Sequence, residues 1–500
     1  MNTEYVIRGR KPERLFRFFE DICKIPRGSG NEEGIANYLV EFAKARSLEA
    51  HKDEFNNVLI RMPATEQYKN APAVLLQGHV DMVCEKNSDV EHDFLKDPIR
   101  PYVDDSGKML RAHGTTLGGD DGIAVAVMMA ILDGELSEHP ALECLFTTNE
   151  EVGLTGAGGF DYSVLKARKM INMDSEKDGC VIVGCAGGVR SDIYGNAATE
   201  AVPEGYKALR ISLTGLKGGH SGENINSGRA NANKAMGRIL SYLLADNTVM
   251  LSEAVGGSKD NAIPRECTCV LCVENAEKVK KETEIISRVI SAELSDEDAD
   301  FTVICEPCNT PSKAICAQAS AAVIRLLNVV QNGVITMSND VKGLVEFSRN
   351  LGVISLSDGN FRIVFSSRSA IESQIDASIA QIDDVACLAK AASEGTAEFN
   401  TKHYSRYPGW KYAKVSPLRD SYMKVYKNLF GDEPVTEIIH AGLECGIISS
   451  KVPDMDIISI GPNMENIHSP AEALDLESSE RFFKTIKGIL LDKYTVMSGE

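Results

Sequence analysis

The sequence predicts an α/β fold: a mixed, mostly parallel sheet sandwiched by helices, with an α+β domain inserted into it. In the first part of the chain, short apolar runs typical of strands alternate with helical stretches. Near residue 187 this order changes to strand, helix, strand, strand, helix, strand. The α/β pattern resumes after about residue 405, so we expect both ends of the chain to build one sheet around the insert.

The first part of the chain opens with two predicted helices, at 12–23 and 31–47, with Asn31 as a candidate N-cap. The loop between them carries Pro26-Arg27-Gly28-Ser29-Gly30. A long apolar helix is predicted at 121–135. Strands are predicted at 58–62, 73–78, 142–148, 169–174 and 181–185.

The predicted insert contains two stretches with a related order of elements. The first runs from about 207 to 306, and the second from about 312 to 403. Their helices are predicted at 228–245, 276–293, 312–330 and 371–393. This order indicates an internally duplicated α+β unit of roughly 100 residues, although the two sequences share little similarity. The predicted segments are 1–187, 188–404 for the insert, and 405–500.

Composition and charge exclude several classes of protein. The chain has 500 residues, 43% hydrophobic and 25% charged, as expected for a globular protein of two to four domains. Its 72 acidic and 53 basic residues give a net charge of −19, which argues against a nucleic-acid partner. The sequence has no signal-peptide pattern and no run near the ~18 apolar residues of a membrane span. We therefore expect a cytoplasmic protein without membrane contact.

The thirteen cysteines are scattered, and most lie in apolar runs, so reduced, buried thiols are expected. Two spacings, Cys267-x-Cys269-x-x-Cys272 and Cys305-x-x-Cys308, leave a thiolate metal site as an alternative. The first group lies in a strand-like run, where a period of two residues places Cys272 on the opposite face from the other two. Buried thiols are therefore the favoured interpretation.

A set of acidic and histidine residues follows strand-like runs, where the carboxyl ends of strands gather functional groups in α/β sheets. Histidine and carboxylate ligands at such an edge suit a divalent metal such as Zn²⁺. The candidates are His79, Asp120, Glu150, Glu151, Asp174 and His468. Each of them alone is more often a helix cap, a solvated charge or a packing histidine. Their joint occurrence favours a metal site, whereas His51, His92, His113, His139 and His403 have no such context.

Asp120 is the candidate bridging ligand between two metal ions, because it follows Gly118-Gly119 and precedes an apolar helix that would fix the turn. His79 and Asp174 would complete one metal site, and Glu151 and His468 the other. Each ion would then have about three protein ligands and an open position, as in catalytic zinc sites. A hydroxide shared between two such ions is a nucleophile at neutral pH.

Two further acids have predicted roles beside the metal ligands. Glu150 and Glu151 are adjacent, and in an extended segment their side chains diverge, so Glu150 is free to serve as the general base. Asp81 lies two residues after His79 and is suited to accept a hydrogen bond from the far nitrogen of its ring.

Four segments resemble the motifs of one family, the aminoacyl-histidine dipeptidases (Xaa-His dipeptidase, peptidase D). These dipeptidases belong to the larger family of co-catalytic zinc aminoacylases and carboxypeptidases. The resemblance covers this chain essentially from end to end. The segments are 77–87 (QGHVDMVCEKN), 114–124 (GTTLGGDDGIA), 147–157 (TTNEEVGLTGA) and 466–470 (NIHSP).

The resemblance implies two zinc ions per chain on the five ligands named above, and Mn²⁺ or Co²⁺ accept the same ligands. It implies a cis peptide bond after Asp120. Where the family commonly has Asn, this chain has Asp121, and the extra negative charge is expected to raise metal affinity.

The insert also carries segments similar to family motifs, and the resemblance implies that it is a lid over the catalytic domain. His220 in 217–222 (KGGHSG) resembles the lid histidine that polarises the scissile carbonyl. Asn261 and Arg368 resemble the groups that hold the substrate's C-terminal carboxylate, which the planar fork of Arg fits. Gly442 resembles a glycine that offers its backbone to the ligand.

These patterns together predict a cytosolic dizinc dipeptidase that hydrolyses Xaa-His and related dipeptides. One alternative is an amidohydrolase of the same fold that acts on N-acyl amino acids or short peptides. A catalytically inactive binding protein is a second alternative, against which the intact Glu150 and the five ligands argue. The sequence leaves open whether the chain is a monomer or a homodimer, and whether His220 acts within its own chain.

Overall fold

The computed structural model describes residues 5–339, 341–492 and 495, so the extreme ends of the predicted segments 1–187 and 405–500 lie outside the described residues. The chain forms two compact units. The first comprises Met1–Cys185, Trp410–Ile438 and Leu443–Glu500, and the second comprises Ala186–Gly409 and Ile439–Gly442. Residues 439–442 thus lie with the second unit, although the sequence assigns them to the segment 405–500.

The described residues contain eleven α-helices and twenty-five strands. The helices are α1 (Glu13–Ile22), α2 (Glu33–Ala45), α3 (Gly119–Ala130), α4 (Thr155–Gly159), α5 (Ala232–Leu244), α6 (Ala276–Ser291), α7 (Ala317–Val329), α8 (Glu372–Ala392), α9 (Pro417–Phe430), α10 (Glu444–Lys451) and α11 (Leu476–Leu491). The strands of the first half of the chain are β1 (Glu49–Lys52), β2 (Val58–Met62), β3 (Val74–His79), β4 (Pro101–Val103), β5 (Met109–Ala112), β6 (Leu142–Thr147), β7 (Lys169–Asn172), β8 (Cys180–Cys185), β9 (Gly187–Asn196), β10 (Thr199–Ala201), β11 (Lys207–Thr214) and β12 (Gly219–His220). Those of the second half are β13 (Met250–Gly256), β14 (Ala262–Ile263), β15 (Cys267–Val273), β16 (Thr302–Cys308), β17 (Lys313–Ile315), β18 (Gly333–Met337), β19 (Val345–Ser357), β20 (Asn360–Ser369), β21 (Asn400–Tyr407), β22 (Val435–Ile439), β23 (Asp456–Ser459), β24 (Met464–Glu465) and β25 (Ala473–Asp475).

The first unit is built on an eight-stranded mixed sheet with the order β1-β2-β6-β3-β7-β23-β8-β22. Parallel pairs join β6, β3, β7 and β23 in the centre, and antiparallel pairs flank them on both sides. Every residue of β3 and β6 is buried, as expected for central parallel strands covered on both faces. The predicted α/β class is confirmed, and the parallel strands form the centre of the sheet.

Helix α3 lies in the core of the first unit, and all of its residues are buried. This explains why the sequence from Ile123 to Ala130 is apolar without interruption, since a helix buried on all sides needs no polar face. The helix continues as a π-helical turn at Ile131–Glu135, within the predicted range 121–135. Its first turn contains Asp120 and Asp121, so the packing of α3 fixes the backbone at these two acids.

A smaller sheet of the first unit, with the order β24-β25-β5-β4, supports the last histidine of the predicted metal set. Strands β24 and β25 pair antiparallel, Met464 with Leu474 and Glu465 with Ala473. The loop between these two strands carries His468.

The second unit contains a nine-stranded sheet with the order β16-β11-β15-β13-β19-β20-β9-β21, and β18 pairs with β19. Helices α5 to α8 pack their apolar faces against it, with Met236, Ile286, Val323 and Ile382 in the shared core. The mixture of helices with an antiparallel sheet agrees with the predicted α+β class of the insert.

When the short strands β10, β12, β14 and β17 and the strand β18 are set aside, the two halves of the second unit share one order of elements. The first half is β11-α5-β13-β15-α6-β16, and the second is β9-α7-β19-β20-α8-β21. Numbered within each half, the strands lie in the order 4-1-3-2 and then 2-3-1-4, with β13 and β19 paired at the junction. The sequence pattern predicted no strand at the start of the second half. In the structure β9, which precedes the first half in the sequence, takes this position. This is the topology a duplicated unit would have, and the duplication itself stays a prediction.

The cysteines of the predicted alternative metal site lie on two faces of β15. Cys267 and Cys269 belong to the main core of the second unit, whereas Cys272 packs with Val270 in a separate cluster. Among the described residues, the groups able to hold a metal ion contain no cysteine. In the same part of the chain, no helix is both long enough and apolar enough to cross a membrane.

Candidate metal centre and substrate-binding residues

The parallel strands of the first unit bring three of the predicted ligand segments to one edge of the sheet. His79 is the last residue of β3 and pairs with Thr147, the last residue of β6. Asn172, the last residue of β7, pairs with Gln77 on the other side of β3. Residues 148–151 and 173–174 therefore leave the sheet beside His79, as expected where parallel strands end together.

Asp120 directs its two carboxylate oxygens to two different histidines. Its Oδ1 lies 3.0 Å from His79 Nε2, and its Oδ2 lies 3.1 Å from His468 Nε2. Gly118, two residues earlier, has a φ of 68°, a conformation that glycine adopts without strain. The glycine-bearing turn and the buried helix behind it thus place one carboxylate between two imidazoles.

Two further acids complete two groups that share Asp120. Asp174 Oδ1 lies 3.5 Å from His79 Nε2, and Glu151 Oε1 lies 3.0 Å from His468 Nε2. The ligand atoms of His79, Asp120 and Asp174 all lie within 4.8 Å of one another, and so do those of Asp120, Glu151 and His468. These are the two ligand sets predicted from the sequence.

Glu150 lies in a third group, with His79 and Glu151, within the same 4.8 Å limit. The backbone N–H groups of Glu150 and Glu151 donate to the two carboxylate oxygens of Asp81, at 3.1 and 3.3 Å. Asn149, directly before them, has a φ of 51°, which is uncommon for a residue with a side chain. The segment is therefore held in a defined turn, and Glu150 lies next to the two ligand groups.

The closely placed acids shift the pKa values in this cluster. Burial, together with the charges of Asp120 and Glu151, raises the pKa of Asp174 to about 7. Burial is also the main reason why the pKa of Glu150 lies well above its usual range. Hydrogen bonds to Asp120 and Glu151 raise the pKa of His468 to about 10. Buried carboxylates this close repel one another, so the donor set fits bound cations.

Asp81 has more contacts than the sequence predicted. His79 Nδ1 lies 3.1 Å from the backbone oxygen of Asp81 and 3.5 Å from its carboxylate, so the backbone oxygen is the closer acceptor. Ser29 Oγ donates to the carboxylate at 2.8 Å. Through its carboxylate, Asp81 therefore connects the loop after α1 with the backbone at Glu150 and Glu151.

The peptide bond between Asp120 and Asp121 is cis, as the resemblance implied. Asp121 is buried, and its Oδ2 accepts a hydrogen bond from the backbone N–H of His79 at 3.3 Å. Burial, together with the charge of Asp174, raises the pKa of Asp121 well above its usual range. The effect of Asp121 on metal affinity stays a prediction.

Two buried glutamates near the ligand loops were not identified from the sequence. Glu472 accepts hydrogen bonds from the backbone N–H groups of Leu117, Gly118 and Gly119, at 2.7, 3.1 and 2.7 Å. Glu444 accepts from the side chains of Gln77 and Thr147, at 2.5 and 2.7 Å. No local sequence signal pointed to Glu472, and Glu444 was not singled out although it lies two residues after Gly442. The partners of both glutamates lie hundreds of positions away along the chain.

In the second unit, a short strand pair brings two of the predicted substrate-binding residues together. His220 in β12 pairs with Ala262 in β14, and the backbone oxygen of Asn261 accepts from Ser221 N at 2.9 Å. Asp298 is buried and accepts from the backbone N–H groups of Lys217 and Ala230, so it holds both ends of the loop that carries His220.

Arg368 is the centre of a second cluster in this unit, and only 9% of it is exposed. Its Nη1 donates to the Tyr407 hydroxyl at 3.1 Å, and its buried Nε has no hydrogen-bond partner among the described residues. Burial and the charge of Arg368 lower the pKa of both His220 and His440, the latter to about 4. The cluster therefore offers an incompletely paired guanidinium beside two imidazoles that are neutral at neutral pH.

Gly442 belongs to the same cluster, because a Cβ at this position would lie 2.8 Å from the ring of Tyr407. Tyr407 therefore packs against the glycine backbone and reaches Arg368 with its hydroxyl. Ser348 Oγ lies 2.7 Å from His440 Nε2. Tyr407, Ser348 and His440 were not identified from the sequence, whereas Gly442 was, through its resemblance to a family glycine.

Comparisons with known proteins identify the family to which the chain belongs. The model of peptidase family M20/M25/M40 matches residues 75–492. The cytosol non-specific dipeptidase of Escherichia coli (strain K12) is 38% identical over 481 residues, which cover 96% of this chain and 97% of that protein.

Two solved structures show the same fold. That of the aminoacylhistidine dipeptidase from Vibrio alginolyticus has a TM-score of 0.91 and 36% sequence identity, and the match covers 97% of both chains. The aminopeptidase PepT from Bacillus cereus ATCC 10987 has a TM-score of 0.56 and 14% identity, and covers 96% of this chain and 98% of its own. The second likeness concerns the fold alone.

The family model spans most of the chain, including all five predicted metal ligands. Peptidases of family M20 depend on metal, which agrees with the three groups of possible ligands in the first unit. The chain belongs to peptidase family M20/M25/M40.

Proposed function

We propose that this protein is a cytoplasmic metal-dependent dipeptidase whose substrates include Xaa-His dipeptides. Two relatives that match nearly the whole chain support the substrate class: the E. coli protein is a non-specific dipeptidase, and the V. alginolyticus protein is an aminoacylhistidine dipeptidase. The proposal extends their activity to this chain because its acidic and histidine residues form groups that could hold metal ions at the edge of the sheet.

The observation that carries the proposal is the position of Asp120, whose two oxygens lie within about 3 Å of two different histidines. A carboxylate in this position suits a ligand shared by two ions. We assign His79 and Asp174 to one ion and Glu151 and His468 to the other, with zinc as the expected metal and Mn²⁺ or Co²⁺ as alternatives. When bound, the ions would supply Lewis acidity that activates water and polarises the scissile carbonyl.

Glu150 is the proposed general base. Its neighbour Glu151 lies against His468, whereas Glu150 belongs to neither of the two groups that share Asp120. In the proposed reaction Glu150 takes a proton from the attacking water and delivers it to the leaving amine as the peptide bond breaks. The turn that begins at Asn149 and the hydrogen bonds to Asp81 would keep this carboxylate in place.

We propose that the second unit supplies the groups that bind the dipeptide. The buried Nε of Arg368, which has no hydrogen-bond partner among the described residues, supports a role in binding the C-terminal carboxylate, together with Asn261. His220 would donate a hydrogen bond to the carbonyl oxygen as negative charge develops on it. Gly442 would offer its backbone to the ligand. A side chain at this position would displace Tyr407.

Hydrolysis of three related substrates tests the proposal. We expect purified protein with added Zn²⁺ to cleave an Xaa-His dipeptide, to cleave the matching dipeptide amide much more slowly, and to lose activity when the metal is chelated. Faster cleavage of an N-acetyl amino acid than of the dipeptide would favour the same-fold amidohydrolase instead. Binding of the dipeptide without turnover would favour the inactive binding protein, and full activity under chelation would contradict the metal assignment.

A further inference from the structure

We infer that Arg27 is a positioning residue that holds two ligand loops of the proposed metal centre in register. This inference rests on the proposed function, because it concerns how the assigned ligands are kept in place. Arg27 lies in the loop between α1 and α2, far in sequence from every assigned ligand, and it is 2% exposed.

The guanidinium of Arg27 donates to backbone oxygens of two loops. Its Nη1 donates to Val80 O at 2.8 Å and, more weakly, to Asp81 O at 3.3 Å. Its Nη2 donates to Gly118 O at 2.5 Å. Val80 directly follows His79, and Gly118 precedes Asp120 by two residues, so one side chain bridges the backbones that carry these two proposed ligands.

Two glycines of the GGDDG segment leave room for this guanidinium. A Cβ at Gly118 would lie 2.5 Å from Arg27 Nη2, and a Cβ at Gly122 would lie 2.6 Å from the same atom. Both distances are shorter than normal van der Waals contact. The glycines on either side of Asp120 therefore make a space that Arg27 fills, which links the two sequence motifs physically.

The turn before Asp120 is held from two directions. Glu472 accepts from the N–H groups of residues 117–119, while Arg27 donates to the oxygen of Gly118. Next to Arg27, Ser29 donates to the Asp81 carboxylate. N–H groups and a carbonyl oxygen of the turn are thus both fixed by hydrogen bonds. Such support is needed to hold the Asp120 carboxylate in position for two metal ions.

The contacts require the forked shape of arginine as well as its charge. Two of its nitrogens reach separate carbonyl oxygens, whereas the ammonium group of lysine presents all of its donors on one atom. A positive charge near a cation site opposes binding of that cation by simple repulsion. The position of Arg27 is therefore explained by the geometry that it imposes on the ligand loops.

Titration of the metal-free protein with Co²⁺, followed by visible absorption, tests this role directly. We expect Arg27→Met to weaken Co²⁺ binding by ~10- to 100-fold and to change the absorption envelope, as the loss of supporting hydrogen bonds does at other metal sites. Turnover number should fall, while KM for the dipeptide stays within about twofold. Arg27→Lys should recover part of the loss, and Gly122→Ala, which presses on the guanidinium, should show a smaller loss of the same kind.

Arg349→Met is the matched control. Arg349 is also fully buried, and its donors contact neutral oxygens of Ser367, Ser378 and Gln381 in the second unit. We expect this variant to lower thermal stability but to bind Co²⁺ like the wild type.

The inference would be overturned if Arg27→Met bound Co²⁺ with the affinity and the absorption spectrum of the wild type. It would also be overturned if Arg349→Met lost as much Co²⁺ affinity as Arg27→Met. If Arg27→Met does not fold, wild-type Co²⁺ binding by both Arg27→Lys and Gly122→Ala would overturn it as well. A wild-type protein that neither binds Co²⁺ nor cleaves dipeptides would instead contradict the proposed function.

Discussion

The two units place histidines in opposite electrostatic surroundings. Burial disfavours the charged form of four imidazoles, those of His79, His468, His220 and His440. In the first unit, neighbouring carboxylates reverse this effect and raise the pKa of His79 and of His468. In the second unit, burial is the main cause that lowers the pKa of His220 and of His440, and the charge of Arg368 adds to it.

This difference indicates which kind of ligand each cluster suits. The first cluster holds an excess of buried carboxylates and attracts cations, which agrees with a metal centre. The second holds a buried guanidinium whose Nε has no partner in the part of the chain that the structure describes, which agrees with binding of a carboxylate. The contrast arises because the first unit buries carboxylates beside its histidines, whereas the second buries Arg368.

The largest expected effect concerns Glu150, the acid that we assign to proton transfer and not to metal binding. Glu150→Gln should lower the turnover number for a dipeptide by at least ~10²-fold, because the variant cannot accept a proton from water. Its metal content should equal that of the wild type. Steady-state kinetics and elemental analysis of the same preparation measure both quantities.

Glu54→Gln, a change at an exposed glutamate of the first unit, is the control and should leave both values unchanged. Unchanged turnover in Glu150→Gln would show that another group is the base. A loss of metal together with the loss of turnover would move Glu150 into the ligand set.

The second prediction concerns Arg368, the centre of the cluster in the second unit. Arg368→Met should raise KM for a dipeptide by ~10- to 100-fold, the usual cost of a lost hydrogen bond to a charged group. It should have little effect on a dipeptide amide, which lacks the carboxylate. Arg362→Met, on the same strand but at a more exposed position, is the control. An equal loss on the acid and the amide would contradict the role of Arg368 in carboxylate binding.

The third prediction uses the depressed pKa of His440. Its pKa is about 4 in the folded protein, whereas about 6.5 is expected for the unfolded chain. Between these values the unfolded chain binds more protons, so stability is lost as the pH falls from 6.5 towards 4. At pH 5 this amounts to about 2 kcal/mol relative to neutral pH.

His440→Gln should reduce this loss, as measured by urea unfolding at several pH values between 4 and 7. The exposed His51→Gln is the control and should keep the acid dependence of the wild type. If the acid dependence is the same in His440→Gln, then burial and the charge of Arg368 do not hold His440 neutral.

The sequence predicted much of the first cluster because its signals are local. An apolar run ends at His79, another ends before Glu150, and a glycine pair precedes Asp120, so each ligand could be placed at the end of an element. The two groups that share Asp120 agree with the sets proposed from these runs. Strand β2 was predicted with the bounds that the structure shows, since it too is a short apolar run.

Other features depend on contacts between distant parts of the chain and left no local pattern. Strand β9 pairs with β20 in the second half of the insert, although it precedes the first half in the sequence. The order of elements along the chain therefore could not show to which half β9 belongs. The contacts of Arg27 and Glu472 with the turn before Asp120 involve backbone atoms, which carry no sequence signature. The raised pKa of Asp121 depends mainly on its burial, which the sequence alone did not reveal.

The central claim is that Asp120 is shared by two metal ions, and counting the ions bound per chain tests it most directly. Native mass spectrometry of the zinc-loaded protein should show two ions in the wild type. Asp120→Asn should hold fewer than two and lose more than ~10²-fold in dipeptidase turnover, because ligand removal costs more than the loss of a supporting contact. Two ions in Asp120→Asn, or a wild-type protein that is fully active without metal, would contradict the account.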